Sequence, residues 1–138
     1  MTVTALETYV EERIAEAMDG LLAGHTNSRV GEFMRQSLQA DLRGFHNPDA
    51  GKVCALYRKY LQIELAQGWV WNNYDADRAK THLNALIAKR GDVVHRSPPL
   101  PSAVPSAHAV TRDDLRKHIR FVRDLVSATD QHLHALGL

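Results

Sequence analysis

Arg90 and His95 stand with four residues between them at the end of an apolar helical pattern, in the run Arg90-Gly91-Asp92-Val93-Val94-His95. These residue types suit proton transfer and the holding of an anion. An imidazole titrates near neutrality and moves protons in either direction, and a guanidinium stays charged and holds two phosphate oxygens at once. Asp92, three residues before His95, is spaced to orient the imidazole. Helical spacing puts Arg90 in the middle of the stripe formed by Leu83, Leu86, Ile87 and Val94. A core face has no use for an unpaired guanidinium, so the position calls for an anion, a carboxylate partner or an interface. On a regular helix His95 falls about 140° around from Arg90, and Gly91 is where the helix could loosen to bring them together. A reading without catalysis is also open, because basic side chains near a helix C-terminus are favoured by the macrodipole and can cap its last carbonyls.

The elements that must position this corner are helices. Thr4 with Glu7 makes a capping box ahead of Leu6, Val10, Ile14, Ala17 and Leu21, and the helix should end near Gly20 or Gly24. Asn27 or Ser28 can cap a second helix presenting Val30, Phe33, Met34, Leu38, Leu42 and Phe45, although Gly31 weakens its first turn. Asn47-Pro48 signals a third, with Val53, Leu56, Tyr57, Tyr60, Leu61 and Leu65 inward and Gly68 as its stop. WVWNNYD separates it from a fourth that begins near Asp75, and its aromatic residues are read as packing under a loop rather than as a ligand surface.

After His95 the segment SPPLPSAVPSAHAV holds four of the five prolines in its first nine residues and must leave the helix. Thr111 with Asp114 then caps a last helix, whose Leu115, Ile119, Val122, Val126, Thr129, Leu133 and Leu136 recur at steps of four and three. No segment has the alternation and turn chemistry of a hairpin, and no repeat is visible. The expected fold class is all-α, an antiparallel up-and-down bundle of about five helices forming one domain over residues 1–138, with a proline-rich loop at 97–110.

Bulk properties narrow the function classes. Apolar residues make up 44% and charged residues 24%, which disfavours a disordered or fibrous chain. No apolar run approaches the roughly 20 residues that span a bilayer, and the first residues are acidic where a signal peptide is basic, so a cytoplasmic location is expected. The lone Cys54 cannot pair internally and lies where a small buried hydrophobe belongs. Net charge is +1, but residues 81–138 carry eight Lys and Arg against five Asp and Glu, together with most of the histidines.

The run from Leu83 to Pro99, LNALIAKRGDVVHRSPP, resembles the HEPN domain (higher eukaryotes and prokaryotes nucleotide-binding), whose ribonuclease members carry Arg, four to six residues, then His near the end of a bundle helix. The resemblance extends over residues 4–136 and implies a metal-independent endoribonuclease. His95 would transfer protons, Arg90 would stabilise the phosphate and Asp92 would assist. Members dimerise so that two motifs face a shared cleft, which implies a homodimer here, and the products implied are a 2′,3′-cyclic phosphate and a 5′-hydroxyl. Many members place Asn, Asp or His directly after the arginine, where this chain has Gly91. Ser97 stands where a toxin subset has a tyrosine modified by a partner nucleotidyltransferase, so that mode of silencing is not expected.

To hold RNA, Arg112, Arg116, Arg120 and Arg123 recur at steps of four, four and three along the last helix, and Lys89 and Arg96 flank the motif. A solvated charged face would give the same pattern. His118, His132 and His134 raise the question of a metal, but His132 and His134 face different ways on a helix, so neither metal nor cofactor is expected. The expected partners are an RNA substrate, a second copy of the chain and an antitoxin or defence-system protein, with no membrane. The alternative is a non-catalytic helical module that binds a nucleotide or a partner protein through Arg90, or an antitoxin or structural bundle.

Overall fold

A computed structural model describes residues 2–25, 27–95 and 112–138, with side chains described for 3–25, 27–89 and 112–138. Among the described residues there are five α-helices and no strand: α1 (Thr2–Leu21), α2 (Arg29–Arg43), α3 (Ala50–Leu61), α4 (Ala76–His95) and α5 (Arg112–Ala135). The fold is an all-α helical bundle. Arg96, Thr111 and the proline-rich segment 97–110 lie outside the described residues, as do the side chains of residues 90–95.

The centre of the bundle is α1, which touches each of the other four helices. Its Leu6, Val10, Ile14, Ala17 and Met18 are buried at helical spacing, so one continuous apolar face meets several neighbours. Ser28 caps α2, accepting a hydrogen bond from the Gly31 amide at 2.9 Å while donating to the His25 carbonyl. Gly31 is required where helix propensity alone made it a weakness. A Cβ there would run into the His25 carbonyl oxygen, because the preceding 3-10 turn (Ala23–His25) folds back against the first turn of α2.

That turn is also where the expected apolar face fails. Leu38 and Phe45 are buried, but Val30 is 70% exposed and Phe33 68% exposed. The C-terminal half of α2 packs against its neighbours, and Tyr60 and Lys59 of α3 reach Ser37 and Asp41 there. In the first turn the buried position is the glycine, and its apolar neighbours have nothing to pack on.

α3 starts two residues later than its strongest sequence signal. Asn47 takes a left-handed conformation (φ 48°) and Pro48 is buried ahead of the helix, while Asp49 is the cap, accepting from the Lys52 amide at 2.8 Å. The helix also ends earlier than Gly68, at Leu61, with Gln62 left-handed behind it. A 3-10 turn over Leu65–Gly68 then lies against α5 so closely that a Cβ on Gly68 would overlap the side chain of His132. Trp69 is fully buried, and its Nε1–H donates to Thr129 Oγ1 of α5 at 2.9 Å. The aromatic segment therefore packs, as expected; the buried N–H of Trp69 has a partner, whereas the buried Nε1 of Trp71 has none.

α5 is rotated relative to the expected seam. Phe121, Val122, Leu125, Thr129 and Leu133 are buried, whereas Leu115, Ile119 and Leu136 are exposed. Val122, Thr129 and Leu133 of the expected four-three seam are buried and Val126 packs against the core, but both ends of the seam turn outward. Phe121 and Leu125, one position earlier than Val122 and Val126, point into the bundle.

Candidate active site and nucleic-acid interface

The candidate catalytic run lies on the C-terminal end of α4. Asp75 caps that helix, its carboxylate accepting from the Arg78 amide at 2.8 Å. Ala79, Leu83, Leu86 and Ile87 bury its inner face, and Asn84 Oδ1 accepts from the Ala50 amide at 2.9 Å, pinning the start of α3 to the middle of α4. The helix continues through Gly91 to His95, so the glycine does not end it. On that continuous helix the backbone positions of Arg90 and His95 are about 140° apart, with Asp92 between them in the same turns. Where the side chains of Arg90, Asp92 and His95 reach lies outside the described residues.

The basic residues of the last helix form one exposed face. Arg112, Arg116, Arg120 and Arg123 are all exposed. With Leu125 taken as the inward direction, they fall roughly 140–220° around the helix, on the side opposite the core. Leu115 and Ile119, also exposed, lie between this face and the buried stripe. Lys89, the last residue of α4 whose side chain is described, is exposed as well. It is close enough to the α4–α5 contact to act electrostatically on both His82 and His118. Lys89 therefore lies near the place where the helix of the candidate run meets the helix of the arginine face.

A polar chain that the sequence reading missed crosses between these helices. The Tyr74 hydroxyl and His82 Nδ1 are 2.7 Å apart, and His82 Nε2 is 3.3 Å from His118 Nδ1. Trp71 stacks on Tyr74 with centroids 4.9 Å apart, across a tight turn in which Asn73 is left-handed (φ 67°), and the His82 ring lies on Phe121 at 3.9 Å. The available signal was His82 at the edge of the α4 apolar stripe, three residues after Ala79 and four before Leu86. Its partner is 36 residues away, and no local pattern names it. The other histidines considered for metal binding do different work: His132 backs the 3-10 turn at Gly68, and His134 is exposed near the end of α5. Among the described residues no three His, Cys, Asp or Glu side chains gather as a metal site. Burial pushes the Cys54 thiol up, which keeps it protonated and unreactive.

The RiboL-PSP-HEPN family model matches residues 1–135. The chain belongs to this HEPN-type family, and the match runs through α1 to the last residue of α5. No curated protein and no solved structure matches it significantly. Among the described residues no helix is long and apolar enough to cross a membrane.

Proposed function

We propose that the chain is a metal-independent endoribonuclease acting through Arg90 and His95, as a homodimer in which two copies of the run face one cleft. The observation that carries this reading is the coincidence of family and position: a HEPN family match over residues 1–135, with Arg-x4-His closing the penultimate helix. His95 takes the 2′-hydroxyl proton or delivers one to the 5′-oxygen, Arg90 neutralises the equatorial phosphate oxygens, and Asp92 orients the imidazole. One imidazole cannot be base and acid within a single displacement, so a second copy supplies the other. The divergence of positions 90 and 95 on an unbroken helix suits residues that address a shared groove from two subunits.

The exposed arginines of α5 and Lys89 supply the field that holds the strand. Their substrate contacts are to phosphates, so affinity depends on salt more than on sequence. Arg96 adjoins the run and adds to the same field. A place in a toxin or antiviral-defence system, with a restraining protein partner, accords with the resemblance of the motif. The direct test uses single-stranded and transfer RNA with wild type and His95→Ala in the presence of chelator. Wild type should cleave, and the variant should lose cleavage while keeping its helicity and its dimer. Equal activity in the two proteins, or nucleotide binding with no cut in any RNA, removes the catalytic reading.

A further inference from the structure

The contact between His82 and His118 has a property that follows from counting protons. Two neutral imidazoles carry one N–H each. Across the 3.3 Å gap between His82 Nε2 and His118 Nδ1, one ring donates and the other accepts. Consider first the arrangement in which His82 donates. A proton added to His82 Nδ1 makes it an imidazolium that donates to the Tyr74 oxygen on one side and still to His118 on the other. In the opposite arrangement His118 donates. A proton added at its Nε2, which is buried and has no hydrogen-bond partner, leaves the bond to His82 in place. Either way the first proton is tolerated. The second puts two N–H groups and two positive charges face to face, and the contact cannot persist.

We propose that His82 and His118 form a proton-sensitive clasp between α4 and α5, which holds with none or one added proton and parts with the second. The groups around it disfavour charge on balance. His82 is held below the ordinary histidine range first by burial, then by His118, Lys89 and Arg78. His118 is held down by burial and then Lys89, with Asp114 of α5 pulling the other way. Tyr74 and Trp71 from the turn are neutral. The face of Phe121 under His82 favours an imidazolium, but it acts on one ring only and is compatible with the first proton. Neighbouring imidazoles that share one hydrogen bond titrate as a pair, in two steps.

The clasp joins the two helices that carry the Arg90–His95 run and the arginine face, and His82 lies eight residues, or about 12 Å along the helix axis, before Arg90. Parting it frees that end of α4 to move against α5 below a threshold pH. The inference stands whether or not Arg90 and His95 cleave RNA. It is tested on the full chain by following the ring protons of His82, His118 and Phe121 by NMR between neutral and acid pH.

Two steps separated by about one pH unit or more are expected, both below the ordinary histidine range, with the Phe121 ring resonances shifting at the second step and not the first. In His118→Gln, which removes the second positive charge, His82 should titrate in a single step moved to higher pH. Independent titration of both histidines near their ordinary value in wild type would overturn the clasp. So would Phe121 resonances that ignore the second step, and both readings come from wild type even if the variant fails to fold.

Discussion

Arg13 sits on the buried face of α1, between Val10, Ile14 and Ala17, and only 8% of its surface is exposed. It meets the same physical demand that singled out Arg90 in the sequence: a guanidinium on an apolar stripe needs an anion. For Arg13 the anion is internal. Its Nε donates to Asp130 at 3.0 Å and its Nη2 to the Leu138 carbonyl at 2.8 Å, tying the first helix to α5 and the residues just after it. Tyr9 donates to the same Asp130 oxygen, and burial and that carboxylate push its phenol well above the usual range. Asp130→Ala should destabilise the fold by about 1–3 kcal/mol in urea titrations, because it leaves a buried cation with one backbone partner and only the exposed Glu16 carboxylate, at 4.0 Å, as its anion. The figure sits below that for a wholly buried pair because the carboxylate side chain is 59% exposed. An unchanged midpoint would mean that Arg13 is satisfied without it. The criterion that an apolar-face arginine needs an anion was legible in the sequence, but the identity of the anion was not. Asp130 lies 117 residues from Arg13, and only the packed bundle brings them together.

At the scale of elements, a cap at Asn27 or Ser28, the start of α4 near Asp75 and most of the apolar faces of α1, α3 and α4 could be read directly, because each is written within a turn or two of sequence; Leu21, expected on the α1 face, is exposed. What could not be read is the rotation of an amphipathic helix against its neighbours. In α5 Leu115–Ile119 and Phe121–Leu125 both make helical stripes with Val122, and packing on α1 and the 3-10 turn buries the second. The same choice turns the four arginines fully outward. If that face tracks the substrate backbone, Arg116→Ala and Arg120→Ala should each weaken RNA binding about equally across sequences. Each should also lower the slope of log affinity against log salt by up to about one. A loss confined to one RNA sequence, or a slope that does not change, would show that α5 does not contact phosphates.

At the scale of the whole molecule, stability is tied to the two histidines that join α4 to α5. Both are held below the histidine value of 6.5. The unfolded chain therefore binds more protons than the native one as pH falls through that value, and native stability decreases. The contribution is complete above the unfolded value and is lost progressively toward the lower folded ones. Urea midpoints for wild type should accordingly drop between neutral and mildly acid pH, and the drop should be smaller in a His82→Gln, His118→Gln double variant. Equal pH dependence in the two proteins would remove this linkage. The bundle as a whole was legible because periodicity and caps are local signals. The histidine chain and the exposed first turn of α2 were not, since each depends on what lies opposite.

The central claim is that the end of α4 performs transesterification on RNA through Arg90 and His95, without metal. It is tested most directly by the chemistry of the ends left on a cleaved RNA in excess chelator. A 2′,3′-cyclic phosphate and a 5′-hydroxyl, absent from reactions with Arg90→Ala or His95→Ala, are the predicted result. A 3′-hydroxyl with a 5′-phosphate, or cleavage that stops when divalent ions are removed, would contradict it.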